Sequence, residues 1–390
     1  MTTLPLLGYG RQSIDDADIQ AVLDVLRGDF LTQGPHVARF EAALAEYTGA
    51  RYAVAVANGT AALHIAALAA GAGPGTLGVT QGITFVASAN CLAYCGSDVG
   101  VVDVDPDTVG MDTTALATFL ERFPETKFVV PVAYAGLPHG AAELARVAGD
   151  RIIIEDACHA LGGRQEDGAM MGACTNAHMT CFSFHPVKPI TTAEGGAITT
   201  NDRNLYEKLL RLRSHGIERD PALLSDAEGV GLWYYEQQSL GFNYRLTDMQ
   251  AALGTSQMKR IDAFIARRRE VALAYDQAFA GIPHVRLVQA GPSRQRNGHH
   301  LYVLRIDYPA LGTSRTEVMT KLRSLGVGTQ VHYMPVHMHP YHAARIVNAG
   351  EAMPESEAFY REALTLPCHP GIDDAAVARV IHAVKTVIQG

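Results

Sequence analysis

The amino-acid sequence predicts an α/β fold in which a mostly parallel sheet of seven strands is covered by helices on both faces. Between residues 53 and 199, short apolar segments rich in β-branched residues alternate with segments of helical periodicity. That alternation is typical of parallel strands joined by crossover helices. The chain has 390 residues, of which 48% are hydrophobic, so it can bury a large core and form more than one domain.

The predicted elements of the first half follow one another in a regular order. Two helices come first, at residues 15–27 and 37–47, separated by a Gly-Pro turn. The predicted strands cover residues 53–56, 78–80, 100–103, 128–132, 152–155, 179–183 and 196–199. Helical periodicity at 60–70 and 113–122 places helices between several of these strands.

The second half of the chain predicts a smaller α+β domain. A long helical pattern rich in Arg and Ala covers residues 247–279. After a polar segment, the pattern predicts strands at 301–306, 328–332 and 364–367 and helices at 315–325 and 373–388. We therefore predict a large domain of residues 1–250 and a second unit of residues 251–390, which contains the long connecting helix and the small α+β domain.

Charge and hydropathy weigh against several kinds of partner. The net charge is -8, whereas nucleic-acid binding requires a basic face. No apolar segment of the sequence approaches the length of a membrane span, and the N-terminal residues lack the pattern of a secretory signal. Six cysteines do not make a disulfide framework in a chain of this length. We expect a cytoplasmic protein without a nucleic-acid or membrane partner.

One lysine lies in a segment of restricted conformation. Pro186 and Pro189 flank Val187 and Lys188, and each proline restricts its own φ and the residue before it. The neighbouring Ser, Thr and Gly residues offer hydrogen-bond donors. Most lysines lie on the surface. A lysine held in this way, however, suits a covalent role, such as formation of a Schiff base, better than a solvated one.

A carboxylate upstream of this lysine provides the second part of the pattern. Asp156 follows Ile-Ile-Ile-Glu at the C-terminal end of a predicted strand, where open α/β sheets bind ligands. A Schiff-base lysine and an aspartate beside a pyridinium nitrogen are the protein groups that pyridoxal phosphate chemistry requires. An aspartate that caps a helix is the structural alternative, and the order and spacing of Asp156 and Lys188 favour the cofactor site.

Other candidates for cofactor binding follow predicted strands. Gly59 and Thr60 open the helix predicted at 60–70, and the free N–H groups of a helix N-terminus favour a phosphate. An ordinary helix cap has the same sequence. Ser183 can add a hydroxyl to the same phosphate. Phe85 is a candidate to stack on an aromatic cofactor ring, although a core phenylalanine is the commoner case.

Four histidines between residues 332 and 342 suggest a metal site, because imidazole binds zinc. The two prolines in this segment and its lack of Asp and Cys favour a different role. Imidazole and phenol groups can hydrogen-bond a polyhydroxylated or phosphorylated substrate. We predict that His185, His332, Tyr333 and His337 contact the substrate and that no metal is bound.

These candidates belong to a set of motifs that resembles the DegT/DnrJ/EryC1/StrS family of sugar aminotransferases, a branch of the fold-type I pyridoxal phosphate enzymes. The resemblance covers nearly the whole chain. The motifs that carry it are residues 28–35, 58–63, 83–88, 155–160, 182–196 and 241–248. The segments that resemble in particular the members acting on a UDP-linked sugar of pseudaminic acid biosynthesis are residues 9–14, 183–192 and 328–337.

The resemblance implies a role for each residue around the cofactor ring. Lys188 matches the lysine that binds pyridoxal 5'-phosphate covalently, and Asp156 matches the partner of its pyridine nitrogen. His159 matches a position near the ring and its 3-hydroxyl, and Phe85 matches the aromatic residue against the ring.

The resemblance also implies which residues bind the cofactor phosphate. Gly59, Thr60 and Ser183 match phosphate-binding positions within one subunit. Asn243 matches a residue that reaches the phosphate of the neighbouring subunit's cofactor. The family therefore implies a homodimer with active sites at the interface.

The implied reaction is transfer of an amino group from L-glutamate to a UDP-linked 4-keto-6-deoxy sugar of a pseudaminic-acid-type pathway. The cofactor would carry the amino group as pyridoxamine phosphate between two half-reactions, which predicts ping-pong kinetics.

Departures from the family pattern and rival functions bear on the substrate. The chain lacks the usual acidic entry to the strand at 78–80, the proline before residue 84, and the aspartate after Pro138. A GDP- or dTDP-linked keto sugar, aminated at C-4 or C-3, is therefore an alternative. A sugar dehydratase of the same fold would have histidine in place of Lys188, and a non-catalytic regulator would have a damaged site or a DNA-binding module.

Overall fold

The computed structural model describes residues 5–138, 140–225, 231 and 233–389, and its main feature is a seven-stranded sheet within these ranges. The strands are β1 Tyr52–Val56, β2 Leu77–Gln81, β3 Asp98–Val102, β4 Thr126–Val130, β5 Ile152–Asp156, β6 Met179–Ser183 and β7 Gly196–Thr200. Their order across the sheet is β1-β7-β6-β5-β4-β2-β3. Strand β7 runs antiparallel to both of its neighbours, β1 and β6, and the other pairs of neighbouring strands are parallel. The predicted mostly parallel sheet of seven strands is confirmed.

Helices cover both faces of this sheet. The α-helices of the first part of the chain are α1 Asp16–Arg27, α2 Pro35–Thr48, α3 Gly59–Ala70, α4 Ala87–Tyr94, α5 Thr113–Arg122, α6 Ala141–Ala148 and α7 Arg203–Arg213. Alternate residues of a strand point to opposite faces. On β4, Phe128 and Val130 join a core with α3, α4 and α7, whereas Val129 joins a core with α5 and α6.

Two helices replace the single long helix predicted for residues 247–279. They are α8 Asp248–Met258 and α9 Ile261–Phe279. The break lies at Arg260, whose φ of -117° and ψ of 4° are not helical. Its guanidinium turns to the carboxylates of Asp15 and Asp18 at the start of α1. A tertiary ion pair therefore interrupts a sequence whose local pattern is helical throughout.

The C-terminal part forms a second, three-stranded sheet in the order β10-β11-β12. Strands β8 Ile217–Glu218 and β9 Glu236–Gln237 pair with each other in a separate two-stranded sheet. The strands of the three-stranded sheet are β10 Val285–Leu287, β11 Tyr302–Ile306 and β12 Ala363–Leu366. The remaining helices are α10 Ser293–Arg296, α11 Arg315–Ser324, α12 Pro340–Ala343, α13 Pro354–Glu362 and α14 Asp374–Gln389. Helices α9, α11 and α14 pack on this sheet.

The prediction of a strand at residues 328–332 is wrong. Only isolated bridges occur there, between Val327 and Leu7 and between Gln330 and Thr365. The segment passes from one partner to another within three residues, so no continuous ladder forms.

Helix α9 contributes to both cores. Ile261 and Ile265 pack with the large sheet, and Val271 and Tyr275 pack with the C-terminal sheet. The division of the chain at residue 250 stays a prediction. No helix in the described ranges has the length and apolar character that a membrane span requires.

Candidate active site

A cavity of about 710 Å³ lies where the C-terminal ends of β1, β5 and β6 meet segments of the C-terminal unit. Most of the residues predicted for the site line this cavity. They are Gly59, Thr60, Phe85, Asp156, His159, Ser183, His185, Lys188, His332 and Tyr333. We refer to Gly59, Thr60, Asp156, Ser183 and Lys188 as the cofactor wall. We refer to His159, His300, His332 and Tyr333 as the histidine wall.

Asp156 is the last residue of β5 and is only 4% exposed. Its Oδ2 accepts a hydrogen bond from the Ser88 hydroxyl at 2.6 Å, and its Oδ1 accepts one from the Cys158 amide at 3.1 Å. These bonds fix the carboxylate in the cavity wall. The helix-cap alternative does not describe Asp156, because no α-helix begins after β5 before β6.

Lys188 lies in a turn that its own backbone closes. Its amide donates to the carbonyl of His185 at 2.9 Å, and the Thr191 hydroxyl donates to the carbonyl of Phe184 at 3.0 Å. Burial lowers the pKa of the Lys188 amine, Asp156 and Cys158 oppose this shift, and Arg268 adds to it. A lowered pKa makes the neutral, nucleophilic amine easier to form.

The phosphate candidate combines a helix N-terminus with a close approach of two segments. Asn58 caps α3, and its side chain accepts from the Ala61 amide at 2.8 Å. A Cβ at Gly59 would lie 2.8 Å from Cβ of Ser183 and 3.2 Å from Sγ of Cys158, so only glycine fits there. Asn58 therefore caps the helix, as the alternative of an ordinary cap requires. The capped helix also directs its N-terminus at the cavity, as a phosphate site requires.

His159 connects the two walls. Its Nδ1 accepts from the Ala135 amide at 3.3 Å, and its Nε2 lies 3.1 Å from the hydroxyl of Tyr333. Because an amide can only donate, the imidazole proton lies on Nε2. Burial, followed by the charge of Lys188, lowers the pKa of His159 well below its usual value. His159 is therefore neutral and offers Nε2–H to the Tyr333 oxygen.

The rest of the histidine wall comes from the C-terminal unit. His332 is 5% exposed, and its Nδ1 lies 2.8 Å from the Thr365 hydroxyl. Burial lowers the pKa of His332 to about 3. Burial also raises the pKa of the Tyr333 phenol, which stays protonated. The wall is thus uncharged and presents hydrogen-bonding groups.

Phe85 also lines the cavity, with 54% of its surface exposed. Its ring centre lies 5.9 Å from that of Tyr333. The alternative of a core phenylalanine is wrong, because an apolar ring this exposed at a cavity is available to a ligand.

Two predicted residues do not line the cavity. Asn243 is exposed and forms a backbone bridge with Ser214. His337 lies 3.6 Å from Glu357, and burial lowers the pKa of its imidazole. The histidines between 332 and 342 diverge, and His342 contacts Asn90 at 2.9 Å. Within the described ranges, no three His, Cys, Asp or Glu side chains are grouped as metal ligands.

Sequence reasoning missed several residues of the cavity. His300 is 4% exposed, and its ring centre lies 4.5 Å from that of His159. Burial, followed by the charge of Lys188, lowers the pKa of His300 well below its usual value. Tyr9 lines the cavity too, with its ring centre 5.0 Å from that of His332. The histidine pair at 299–300, just before a predicted strand, was the available signal for His300.

The groups at this cavity fit pyridoxal phosphate. The amine of Lys188 and the buried carboxylate of Asp156 share one cavity with a helix N-terminus, and Gly59 leaves room for a phosphate beside Ser183. A mostly parallel sheet with one antiparallel strand carries them. The fold and this set of groups define a fold-type I aminotransferase that uses pyridoxal phosphate.

Comparison with known proteins narrows this class. Residues 12–385 match the DegT/DnrJ/EryC1/StrS aminotransferase family, and the chain belongs to that family. It is 36% identical to the spore coat polysaccharide biosynthesis protein SpsC of Bacillus subtilis (strain 168), over 98% of this chain and 97% of the relative. The protein is therefore a pyridoxal-phosphate-dependent sugar aminotransferase, with a keto sugar and an amino donor as its substrates.

Solved structures of similar proteins agree with this assignment. Helicobacter pylori PseC, an aminotransferase of pseudaminic acid biosynthesis, matches with a TM-score of 0.88 and 30% identity, over 98% of this chain and 99% of that one. The pyridoxal phosphate form of the sugar aminotransferase Spr1654 from Streptococcus pneumoniae matches with a TM-score of 0.86 and 28% identity, over 98% and 99%.

Proposed function

We propose that this protein transfers the amino group of L-glutamate to C-4 of a UDP-linked 4-keto-6-deoxy sugar, as a UDP-4-amino-4,6-dideoxy-N-acetyl-β-L-altrosamine transaminase of a pseudaminic-acid-type pathway. The observation that carries the amino transfer is the presence of Lys188 and Asp156 in one cavity. The similarity to PseC over 98% of this chain supports the particular sugar. We further propose that the enzyme acts in the cytoplasm.

The residues of the cofactor wall have distinct roles in this proposal. Asp156 holds the proton on the ring nitrogen, and Gly59, Thr60 and Ser183 bind the phosphate. Bound pyridoxal phosphate supplies an electron sink and carries the amino group between the two half-reactions. Lys188 would hold the cofactor covalently through Nζ, and its amine, when not bonded to the cofactor, would accept a proton from the substrate carbon and donate it back.

The remaining candidates orient the cofactor and the sugar. Phe85 packs against the cofactor ring, and His159 donates from Nε2 toward Tyr333 and so fixes the phenol. His185, His332 and Tyr333 line the cavity and are placed to hydrogen-bond the sugar. His337 lies outside the cavity, next to Glu357, so its contact with the sugar requires a substrate that extends beyond this cavity.

We also propose a homodimer in which each copy completes the other's site. Lys188 is the only Lys or Arg among the described residues that line the cavity. Glutamate carries two carboxylates and the nucleotide sugar a diphosphate, and such groups are bound by cations and N–H donors. Asn243 is exposed outside the cavity, as expected of a residue that reaches the phosphate site of a second copy.

An exposed apolar surface supports this dimer. Ile14 is 44% exposed and Ile19 is 51% exposed, and both line an apolar groove with Val22, Leu23 and Leu253. Contiguous exposed apolar residues commonly mark an interface. Mixing Lys188→Ala and Asn243→Ala proteins tests the arrangement, because a mixed dimer contains one intact site. About a quarter of wild-type activity should return, and no recovery in a mixture shown to contain mixed dimers would contradict it.

A second candidate is amination of a different nucleotide-linked keto sugar, on a GDP or dTDP carrier and at C-4 or C-3. The identity with SpsC, at 36%, exceeds the 30% identity with PseC, and SpsC is described as a spore coat polysaccharide protein. This difference favours testing more than one sugar.

The test is an absorbance spectrum of the purified protein. L-glutamate should bleach the visible band of the lysine-bound cofactor, and the UDP-linked 4-keto-6-deoxy sugar should restore it. Restoration only by a dTDP- or GDP-linked sugar would support the second candidate. A protein that binds pyridoxal phosphate but is not bleached by glutamate would overturn the proposed donor.

A further inference from the structure

Arg268 is a buried cation for which the described residues provide no carboxylate partner. It lies on α9 with 1% of its surface exposed. Its guanidinium donates only to backbone carbonyl groups, those of His299 at 3.3 Å, His300 at 3.3 Å, Cys368 at 2.7 Å, Val187 at 3.3 Å and Lys188 at 3.3 Å. Burial lowers its pKa to about 10, so the group remains charged at neutral pH.

Other buried arginines of this protein are paired. Arg294 is 2% exposed and binds Asp276 through two hydrogen bonds of 2.8 Å. Arg305 is 4% exposed and binds Glu362 at 2.7 Å. An unpaired buried charge costs stability. Arg268 differs from these two arginines, because its partners among the described residues are backbone carbonyl groups and not a carboxylate.

The five carbonyl groups come from three segments that meet at the active site. Residues 187–188 belong to the lysine turn, residues 299–300 precede β11, and Cys368 follows β12. The planar fork of a guanidinium can hold several acceptors at fixed angles, which a lysine ammonium cannot. Arg268 thus connects the backbone of Lys188 to that of His300.

We propose that Arg268 is a positioning residue of the amino transfer, which holds Lys188 and His300 in place and whose charge acts on the Lys188 amine. The proposal rests on the proposed function of Lys188. A fixed positive charge near an amine disfavours a second positive charge. The lysine is thereby kept ready to accept a proton.

Other groups around Lys188 set the background for this effect. The titratable and charged groups that act on the amine or line its cavity are Asp156, Cys158, Arg268, Tyr9, Tyr94, His159, His185, Glu194, Tyr244, His300, His332 and Tyr333. Burial lowers the pKa of the His159, His300 and His332 imidazoles, so these three are neutral near pH 7. Arg268 is the permanent cation of this set, and Asp156 and Glu194 are its carboxyl groups.

Two substitutions separate the position of the lysine from its charge environment. Arg268→Lys keeps the charge and loses the fork, whereas Arg268→Met loses both. Arg305→Met is the matched control. Arg305 is also buried, but its partner is Glu362, which is far from the lysine turn in the sequence. Each full-length protein is loaded with pyridoxamine phosphate, so that the Lys188 amine is free. Labelling of that amine by an acylating reagent is followed against pH by mass spectrometry.

We expect the labelling midpoint of Lys188 to rise in Arg268→Met and to stay unchanged in Arg268→Lys and in Arg305→Met. We expect kcat to fall about tenfold or more in both Arg268 variants, with KM for the sugar within about twofold of wild type. A wild-type midpoint in Arg268→Met overturns the role of the charge. Wild-type kcat in Arg268→Lys overturns the role in positioning.

Two further results keep the test decisive. If Arg268→Met does not fold, Arg268→Gln replaces it for the charge, and Arg268→Lys still tests the positioning. If wild-type protein does not react with glutamate, the proposed function fails regardless of the variants. Wild-type turnover together with unchanged variants would overturn only the inference about Arg268.

Discussion

The cofactor wall and the histidine wall enclose the same cavity but are positioned by different means. Asp156 and Ser183 are the last residues of β5 and β6, and Gly59 is the first residue of α3. The ladder of the large sheet fixes Asp156 and Ser183 directly, whereas Lys188 lies in the turn that follows β6. His300, His332 and Tyr333 lie in segments without regular structure. Side-chain hydrogen bonds hold His332 to Thr365 and Tyr333 to His159.

This difference teaches where chemistry and selectivity reside. Strand ends are rigid, which suits residues that we propose to bind and activate the cofactor. Irregular segments can change in sequence without disturbing the sheet, which suits residues that choose among sugars. Substitutions in the cofactor wall should therefore reduce turnover or cofactor affinity, and those in the histidine wall should alter sugar affinity or stability.

The largest expected effect is that of Lys188→Ala. The variant loses both covalent attachment of the cofactor and the amine that moves the proton, and we expect kcat to fall by about 10³-fold or more. Stopped-flow absorbance with glutamate measures the first half-reaction. Lys321→Ala, on the exposed face of α11, is the control and should behave as wild type. Retained turnover in Lys188→Ala would show that the cofactor wall does not carry the reaction through Lys188.

A smaller loss is expected for Asp156→Asn. The amide oxygen can take the place of Oδ1 and accept from the Cys158 amide, and the amide NH2 can donate to the Ser88 hydroxyl in the place of Oδ2. The charge proposed to hold the proton on the ring nitrogen is gone. We expect kcat to fall about 10²-fold, with the cofactor still bound. Ser88→Ala removes one hydrogen bond to the carboxylate and should cost no more than about tenfold. Equal losses in the two variants would mean that the position of the carboxylate, and not its charge, matters.

Gly59→Ala tests the shape of the cofactor wall. Its new Cβ would lie 2.8 Å from Cβ of Ser183, so the phosphate site must widen. We expect the Kd for pyridoxal phosphate to rise by about tenfold, equivalent to roughly 1–2 kcal/mol of strain. Gly73→Ala is a matched control, because the nearest atom to its Cβ would be 4.0 Å away. If cofactor titration gave an unchanged affinity for Gly59→Ala, the phosphate would have to bind at another site.

The smallest effect concerns the histidine wall and pH. The folded pKa of His300 lies well below its ordinary value, so the unfolded chain binds more protons as the pH falls below about 6.5. The free energy of unfolding therefore decreases from pH 7.5 to pH 5.5, and His300 accounts for about 1.4 kcal/mol of the decrease. His300→Asn should reduce the decrease by that amount in urea titrations.

An exposed histidine provides the control for this prediction. His382 lies on the exposed face of α14. The substitution His382→Asn should therefore leave the pH dependence of the unfolding free energy unchanged. A full decrease in His300→Asn would show that the histidine wall does not remain neutral in the folded protein.

Much of the cofactor wall could be predicted because its signals are local. The β-branched run before Asp156, the Asn-Gly-Thr after β1 and the prolines beside Lys188 each report the backbone that they form. The seven strands were found for the same reason. The resemblance to a known family then assigned roles that periodicity and spacing alone left open.

The errors lie where tertiary contacts override local pattern. The helical pattern through residue 260 is continuous, but the pairing of Arg260 with Asp15 and Asp18 breaks the helix. The segment 328–332 has a strand-like sequence, yet it bridges Leu7 at one end and Thr365 at the other. Both partners are distant in sequence, so no local rule could include them.

The sequence by itself determined the fold class, the parallel sheet and the pairing of a lysine with an aspartate, because periodicity and turn residues act over a few positions. Only the tertiary structure decided which histidines face that lysine and that Arg268 holds its backbone. His159, His300 and His332 come together from positions far apart in the chain. Their neutrality depends on burial, and burial is a property of the packed molecule and not of any segment of its sequence.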